Sequence, residues 1–314
     1  MQYYFAPMEG LTDSIYRQLH HKYFPGIDRY YTPFLSPTVH RCLTPKERRE
    51  LPEAGSLSYC AVPQILTKNA EDFLWLAGQC KDLGYTQVNL NLGCPSGTVT
   101  AKGKGSGMLR EPECLDRFLA EIFARTPVDI SIKTRLGFHS SEEFPALLEI
   151  FNRYPICELT VHPRVRSAFY KGDVDRNAFA YAVENSGAPV VYNGDLTCLE
   201  DIQAVADTYP SVHAVMLGRG LIGDPGMLTP GGTDRDTLEN FCAELLEAYT
   251  QAFGNSRNAM SRLKENWYYL IHRFETGEKL YKSLCKTTDI TQFKQITREI
   301  LRSVPMAEKL QKNR

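Results

Sequence analysis

The 314-residue sequence lacks any run of eighteen apolar residues, so a membrane span is not expected. It also lacks a basic region ahead of an apolar one at its start. Met1-Gln2-Tyr3-Tyr4-Phe5-Ala6 reads as a first strand, and a signal peptide is not expected. Cysteine pairs of the CxxC type are missing: the nine cysteines (Cys42, Cys60, Cys80, Cys94, Cys114, Cys157, Cys198, Cys242 and Cys285) are odd in number and scattered. That pattern argues against a disulfide framework and against a zinc site, and no metal is expected; it fits a reducing cytoplasm. Most of these cysteines read as small core residues. No GxGxxG turn follows the first apolar run, where the sequence is instead Pro7-Met8-Glu9-Gly10, and no GKS or GKT follows a GxxxxG, which sets a P-loop aside. Internal repeats and low-complexity tracts are absent as well.

What is present is a chain that can bury a sizeable core, with 43% hydrophobic residues. The net charge of −1 hides an asymmetry. From Arg257 to Arg314 there are thirteen Lys or Arg against six Asp or Glu, a balance of +7, which leaves −8 on residues 1–256. A basic C-terminal segment on an acidic body suggests a localised footprint for a polyanion, although solvated helix faces are often basic too.

Apolar, β-branched runs recur with amphipathic stretches between them. The pattern predicts strands at Tyr3–Met8, Arg29–Phe34, Tyr59–Ile65, Gln87–Asn91, Asp129–Thr134, Glu158–His162, Pro189–Asn193 and His213–Leu217. Helices are predicted over Asn69–Leu83, Glu111–Ala124, Glu142–Tyr154 and Cys198–Tyr209. Eight strands alternating with helices point to an α/β chain folded as a (β/α)₈ TIM barrel over residues 1–234, with a doubly wound sheet as the alternative. After the linker Thr229-Pro230-Gly231-Gly232-Thr233 strand-like runs cease. The helical patterns Asp236–Ala252, Asn258–Phe274, Lys279–Lys286 and Thr291–Val304 predict a small C-terminal helical domain at 235–314.

Chemistry in such a barrel sits at the C-terminal ends of the strands. Here the ends carry Pro7-Met8-Glu9, Gln64, Asn91 with Gly93-Cys94-Pro95, Lys133 with Arg135, His162 with Arg164, Asn193-Gly194-Asp195, and Gly218-Arg219-Gly220. Singly, Gln64 could cap a strand and His162 could be a satisfied core histidine. Seven of eight ends bearing such groups is hard to explain as packing. Asn193-Gly194-Asp195 and Gly218-Arg219 each lead into a helix, where glycines admit backbone N–H groups and Arg219 adds a charge, so together they suit a phosphate. Lys133 should point into the mouth, as a Schiff-base amine, as a counter-charge to a cofactor ring, or as half of a structural ion pair. Cys94 lies in a glycine-rich loop followed by Lys102 and Lys104, which suits a cationic lid over an anionic substrate.

These residues resemble the dihydrouridine synthase family, flavoproteins that act on transfer RNA. The resemblance runs in register from Ala6-Pro7-Met8-Glu9-Gly10-Leu11-Thr12-Asp13 through Gln64, Asn89-Leu90-Asn91-Leu92-Gly93-Cys94-Pro95-Ser96, Lys133-Thr134-Arg135-Leu136-Gly137, Thr160-Val161-His162-Pro163-Arg164 and Asn193-Gly194-Asp195 to Met216-Leu217-Gly218-Arg219-Gly220. It implies an FMN site at Pro7, Met8, Glu9, Gln64, Lys133, His162, Asn193, Gly194, Asp195, Gly218 and Arg219. It also implies NADPH as reductant, hydride delivery to carbon 6 of the uracil, and Cys94 as the proton donor to carbon 5. Asn91, Arg135 and Arg164 become candidates for substrate contacts. In the helical domain, Arg262 and Lys264 lie on a basic-aromatic helix, with Trp267, Tyr268 and Tyr269, that grips RNA; these aromatics are expected to be mostly buried. The target base must be splayed from its stack to be reached. The sequence departs from the family pattern at Pro163, Val165 and Gly97, and Lys102 and Lys104 are unusual. The implied protein is a cytoplasmic monomer acting on RNA, most simply tRNA. Competing readings are a small-molecule pyrimidine flavoenzyme of the dihydroorotate or dihydropyrimidine dehydrogenase type, an aldolase-type lyase using Lys133, and an idle RNA-binding module.

Overall fold

The computed structural model of the chain describes residues 1–38, 40–307 and 309–310. Part of the expected basic segment, Glu308 and residues 311–314, therefore lies outside the described residues.

Nine short parallel strands form one sheet: β1 (Gln2–Phe5), β2 (Arg29–Tyr31), β3 (Ala61–Val62), β4 (Gln64–Ile65), β5 (Gln87–Leu92), β6 (Asp129–Arg135), β7 (Leu159–His162), β8 (Val190–Tyr192) and β9 (Ala214–Leu217). Their spatial order is β3-β2-β1-β9-β8-β7-β6-β5-β4. The two ends of that row are halves of a single extended segment interrupted at Pro63, which has no N–H to give to a ladder. One half pairs with β2, Tyr31 opposite Val62, and the other with β5, Gln64 opposite Asn89. The Pro63 carbonyl still accepts from Asn89 N–H at 2.8 Å. The row thus closes on itself, and the expected eight-stranded barrel is what forms. The first strand stops at Phe5 rather than Met8. The Met8 carbonyl instead accepts from Leu11 and Thr12 N–H, both at 3.0 Å, and turns the chain.

Helices follow the strands: α1 (Ser14–Tyr23), α2 (Pro45–Glu50), α3 (Ala70–Asp82), α4 (Gly97–Thr100), α5 (Pro112–Arg125), α6 (Phe144–Phe151), α7 (Arg176–Asn185), α8 (Leu199–Thr208) and α9 (Arg219–Gly223). The chain ends in α10 (Arg235–Phe253), α11 (Ser256–Leu270), α12 (Glu278–Lys286) and α13 (Ile290–Ser303). Many starts are sealed by a short acceptor side chain. Asn69, Asp175, Asp234, Asn255 and Asp289 each accept a backbone N–H from the first turn they open.

Contacts gather the chain into two compact units. One comprises Met1–Pro7, Asp28–Gly194 and Ala204–Met216, and holds nearly all of the barrel sheet. Its interior is packed by inward-facing Tyr4, Ala6, Tyr31, Val62, Val191, Ala214 and Met216. Near the N-terminal ends of the strands Glu158, 2% exposed, accepts from the hydroxyls of Tyr4 (2.7 Å) and Tyr31 (2.8 Å), with Arg29 at 3.6 Å. Burial first, and then the Glu158 charge, pushes both phenols far above their ordinary range, so they remain donors. That closed polar plug serves stability, because the strands' opposite ends carry the reactive groups.

The other unit comprises Met8–Ile27, Asp195–Gln203 and Leu217–Arg314. It contains residues 235–314, and it also takes in α1, for a physical reason. Tyr16 and Phe24 pack edge-on against Phe241 of α10, with ring centroids 5.5 and 5.1 Å apart. Trp267, Leu263, Leu270, Phe293 and Ile300 are buried among the C-terminal helices. Among the described residues no helix is long and apolar enough to cross a membrane.

Candidate active site

Strand alternation brings Gln64, Asn89, Asn91, Ser131, Lys133, Arg135 and His162 to the barrel's inner face. Their amides form a chain. Gln64 Nε2 donates to Asn89 Oδ1 at 2.7 Å, Asn89 Nδ2 to Ser131 Oγ at 2.9 Å, and Asn91 Nδ2 to Gln64 Oε1 at 2.7 Å. A buried polar chain satisfied in this way fixes its members rigidly.

Asn91 is the pivot. Its Oδ1 accepts from the backbone N–H of Gly93 (3.1 Å) and of Cys94 (2.9 Å), and so holds the turn that displays the thiol. The Cys94 carbonyl accepts in turn from Ser106 N–H (3.2 Å) and Ser106 Oγ (2.8 Å), which folds the later loop beneath it. Gly105 makes that close approach possible. Its φ is +58°, and a Cβ there would stand 3.0 Å from Cys94 Cβ and from the Cys94 carbonyl oxygen. Asn91, expected as a substrate contact, is thus placed to position Cys94. Cys94 itself is half-buried and is not in a disulfide.

Lys133 sits on β6 beside these groups, and no described residue gives its Nζ a hydrogen bond or a carboxylate partner. Burial, and then the neighbouring Arg135 guanidinium, hold its pKa down to about 7, with Cys94 pulling the other way. Arg135, by contrast, is fully engaged. Its Nε donates to Gly93 O (2.9 Å), and its Nη1 to Val165 O (3.1 Å) and Phe169 O (2.7 Å), while Tyr170 lies under its guanidinium with the ring centre 5.4 Å away. The side chain ties the loop after β5 to the loop after β7.

Just past the end of β7, Arg164 Nη1 lies 3.1 Å from His162 Nε2, and Arg164 Nη2 donates to Gly172 O at 2.5 Å. A guanidinium has only donors, so Nε2 accepts and the imidazole proton sits on Nδ1. Asn193 Nδ2 donates to Met216 O at 2.8 Å, linking the ends of β8 and β9. Gly194 is hemmed in by Val174, whose Cγ1 would lie 3.0 Å from an added Cβ. Pro7 closes this unit's first segment, following β1.

The remaining expected site residues lie in the helical unit. Met8 N–H donates to Thr12 Oγ1 at 2.9 Å, and Glu9 follows it, exposed. Arg219, at the start of α9, is bound to Asp195 at 2.9 Å. Asp195 holds a left-handed φ of +47°, a strained setting for a non-glycine residue that turns its carboxylate toward the arginine. Gly218 caps α9. Gly220 is fixed by packing, since a Cβ would fall 2.1 Å from the Leu196 carbonyl oxygen.

The basic pair of α11 has partners within the chain. Arg262 donates to the Gly10 carbonyl and pairs with Glu265 at 3.3 Å, and Lys264 Nζ donates to Thr287 O at 2.6 Å. Both bind this chain's own turns. Trp267 is buried as expected, but Tyr268 is 48% exposed. One step along a helix rotates a side chain by roughly 100°, which takes Tyr268 off the face that Trp267 buries. Tyr268 instead lines an open concavity of 460 Å³ with Glu9, Lys264, Tyr269 and Tyr281. The sequence reading missed the anchoring roles of Asn91, Ser106 and Arg135. An asparagine two residues before a glycine turn was the available signal for the first of these.

Comparison with known proteins gives a consistent result. The family model described as "Dihydrouridine synthase (Dus)" matches residues 4–313. The chain is 29% identical over 283 residues to the tRNA-dihydrouridine synthase B of Proteus vulgaris, covering 85% of each. It is 25% identical over 317 residues to the tRNA-dihydrouridine(16) synthase of Neisseria meningitidis serogroup B, covering 95% of this chain and 94% of the relative. Among solved structures, the old yellow enzyme homologue from Zymomonas mobilis superposes with a TM-score of 0.50 at 11% identity, covering 71% of this chain and 86% of that one. At that identity the likeness speaks to fold alone.

Proposed function

Because the chain belongs to the dihydrouridine synthase family, we propose that it reduces uridine in tRNA to 5,6-dihydrouridine, with FMN as its bound cofactor and NADPH as electron donor. The observation that carries this reading is the pairing of an anchored thiol with a half-buried lysine that has no anionic partner among the described residues. Asn91 fixes Cys94 at the mouth, and Lys133 nearby lacks an anion among the described residues. Desolvation and the Arg135 charge make its ammonium costly to hold, and a bound anionic or electron-rich ring relieves that cost. The residues therefore fit a flavin.

On this reading Lys133, Gln64 and His162 meet the flavin ring, along with Pro7, Met8 and Glu9. Asn193, Gly194, Asp195, Gly218 and Arg219 provide backbone donors and a positive charge for the phosphate. A flavin held by these residues would supply the hydride taken up at carbon 6, with NADPH as the reductant. Cys94 holds the proton for carbon 5 on its Sγ and delivers it from the opposite side of the base; a thiol with an ordinary pKa of about 8.5 is mostly protonated at neutral pH. Asn91 keeps the thiol on station, and Arg135 keeps the flanking loops closed around it. Arg164 orients His162 by occupying its Nε2. Arg262 and Lys264 shape the face of α11 that, with exposed Tyr268, meets the RNA. The reaction belongs in the cytoplasm, and the protein acts there as a monomer.

The basic-aromatic helical unit supports a macromolecular substrate over a free pyrimidine, which would need no such surface. The test is to map dihydrouridine across cellular RNA with and without the gene for this protein. Loss of dihydrouridine at one or more tRNA positions is expected. An unchanged tRNA profile would refute the reading.

A further inference from the structure

Lys68 meets Lys102 and Lys104, more than thirty residues further along the chain, beside the loop that carries Cys94. Lys68 precedes α3 and is exposed, Lys102 follows α4 and is exposed, and Lys104 is half-buried with its Nζ donating to Ser36 Oγ at 3.0 Å. The turn between the last two is set by Gly103, with φ +67°, where an added Cβ would lie 3.6 Å from Lys68 Nζ. A left-handed glycine thus brings Lys68 against the loop. Among the described residues none of the three ammonium groups has a carboxylate within ion-pair distance. Asp72, the carboxylate that favours the charge on Lys104, is itself paired with Arg41 at 3.2 Å. Burial and the two neighbouring lysines make the Lys104 charge harder to hold, as expected of uncompensated like charges.

Such a cluster repels itself in the free protein and is relieved by a polyanion. Two exposed ammonium groups and one half-buried one around a glycine turn suit non-directional contacts to successive backbone phosphates, rather than the fixed donor set that a single nucleotide phosphate requires. The loop reaches Cys94 directly, through Ser106 to the Cys94 carbonyl. We propose that Lys68, Lys102 and Lys104 form a second RNA-binding surface, on the barrel unit, that holds backbone phosphates of the substrate beside the nucleotide being reduced. This rests on the reading of the protein as a tRNA-modifying enzyme, and it places part of the grip outside the basic C-terminal segment.

The test measures tRNA affinity of the holoenzyme against salt for wild type, for Lys68→Gln/Lys102→Gln, and for the triple variant with Lys104→Gln. Each lost phosphate contact lowers the slope of log affinity against log salt by about 0.7 for single strands. The triple variant is therefore expected to bind about 50-fold more weakly at 0.15 M salt, with a slope smaller by about 2, and to converge on wild type near 1 M. The double variant leaves the Ser36 contact intact and is expected to lose about two thirds of that slope change, which guards against a folding effect of Lys104. NADPH oxidation and flavin content should not change. Equal slopes in all three proteins would overturn the proposal, as would a raised KM for NADPH with unaltered tRNA binding, which would assign the cluster to the nucleotide. If wild type forms no dihydrouridine, the functional reading fails, yet a slope difference would still establish the surface.

Discussion

Lys133 offers a prediction whose sign and size both follow from its setting. Its ordinary pKa of 10.5 is held down to about 7 by burial and by Arg135. In the unfolded chain the amine is charged up to pH of about 10.5, whereas in the folded, flavin-free protein it resists charging above about 7. The folded state therefore carries a penalty that is complete below pH 7, shrinks as pH rises from 7 to 10.5, and vanishes above. A displacement of that size corresponds to about 5 kcal/mol in full, and water at the mouth brings the realised value to about 2–3 kcal/mol. Lys133→Met keeps the shape and removes the charge. The flavin-free variant should melt about 5 °C higher than flavin-free wild type at pH 6, with the difference closing by pH 10. The same substitution should weaken flavin retention, because it deletes the cation proposed to face the ring. A variant that melts no higher at pH 6, or whose advantage is independent of pH, would refute the reasoning.

Other expectations follow from the hydrogen bonds. Asn91→Ala leaves two backbone N–H groups and Gln64 Oε1 without their partner, so it should cost about 2–4 kcal/mol in denaturant unfolding. It should also slow uridine reduction about 10²-fold while NADPH oxidation persists, as a thiol displaced by about 1 Å would require. Arg219→Ala should reduce flavin occupancy on purification without lowering the melting temperature by more than about 2 °C, since its ion pair with Asp195 is well exposed. Arg262→Ala should destabilise the helical unit by about 1–2 kcal/mol, measured by thermal unfolding, because the Gly10 carbonyl loses its charged donor. Tyr268→Ala should leave the melting temperature unchanged and weaken tRNA binding in a filter assay by about 1–3 kcal/mol, the usual worth of stacking on a base.

The alternation of β-branched runs with amphipathic stretches was enough to read the barrel, because strand and helix periods are local properties of the chain. Closure through two half-strands at Pro63 was not, although the proline itself was visible: which neighbour each half pairs with is a tertiary fact. The strand-end residues Gln64, Asn91, Lys133 and His162 were legible for a similar reason, since a barrel sends strand ends to one face. What each one does was less so. Arg135 was read as a candidate substrate contact, and its bonds to three backbone carbonyls that lie 30 or more residues away along the chain were not visible in the sequence. Arg262 and Lys264 looked like RNA contacts, but their partners Gly10 and Thr287 could not be paired with them from spacing. Lys68 gave no hint of its place beside Lys102 and Lys104, because only the folded turn at Gly103 brings it there.

The central claim is that Cys94, held by Asn91, gives the proton for uridine reduction in tRNA. The most direct measurement is a single turnover of reduced holoenzyme with unmodified tRNA, comparing Cys94→Ala with wild type and following both flavin reoxidation and dihydrouridine. The variant is expected to keep its flavin and to be reduced by NADPH at the wild-type rate, while dihydrouridine formation falls by about 10²–10⁴-fold. Dihydrouridine formed at the wild-type rate would contradict it, because the proton would then come from another group.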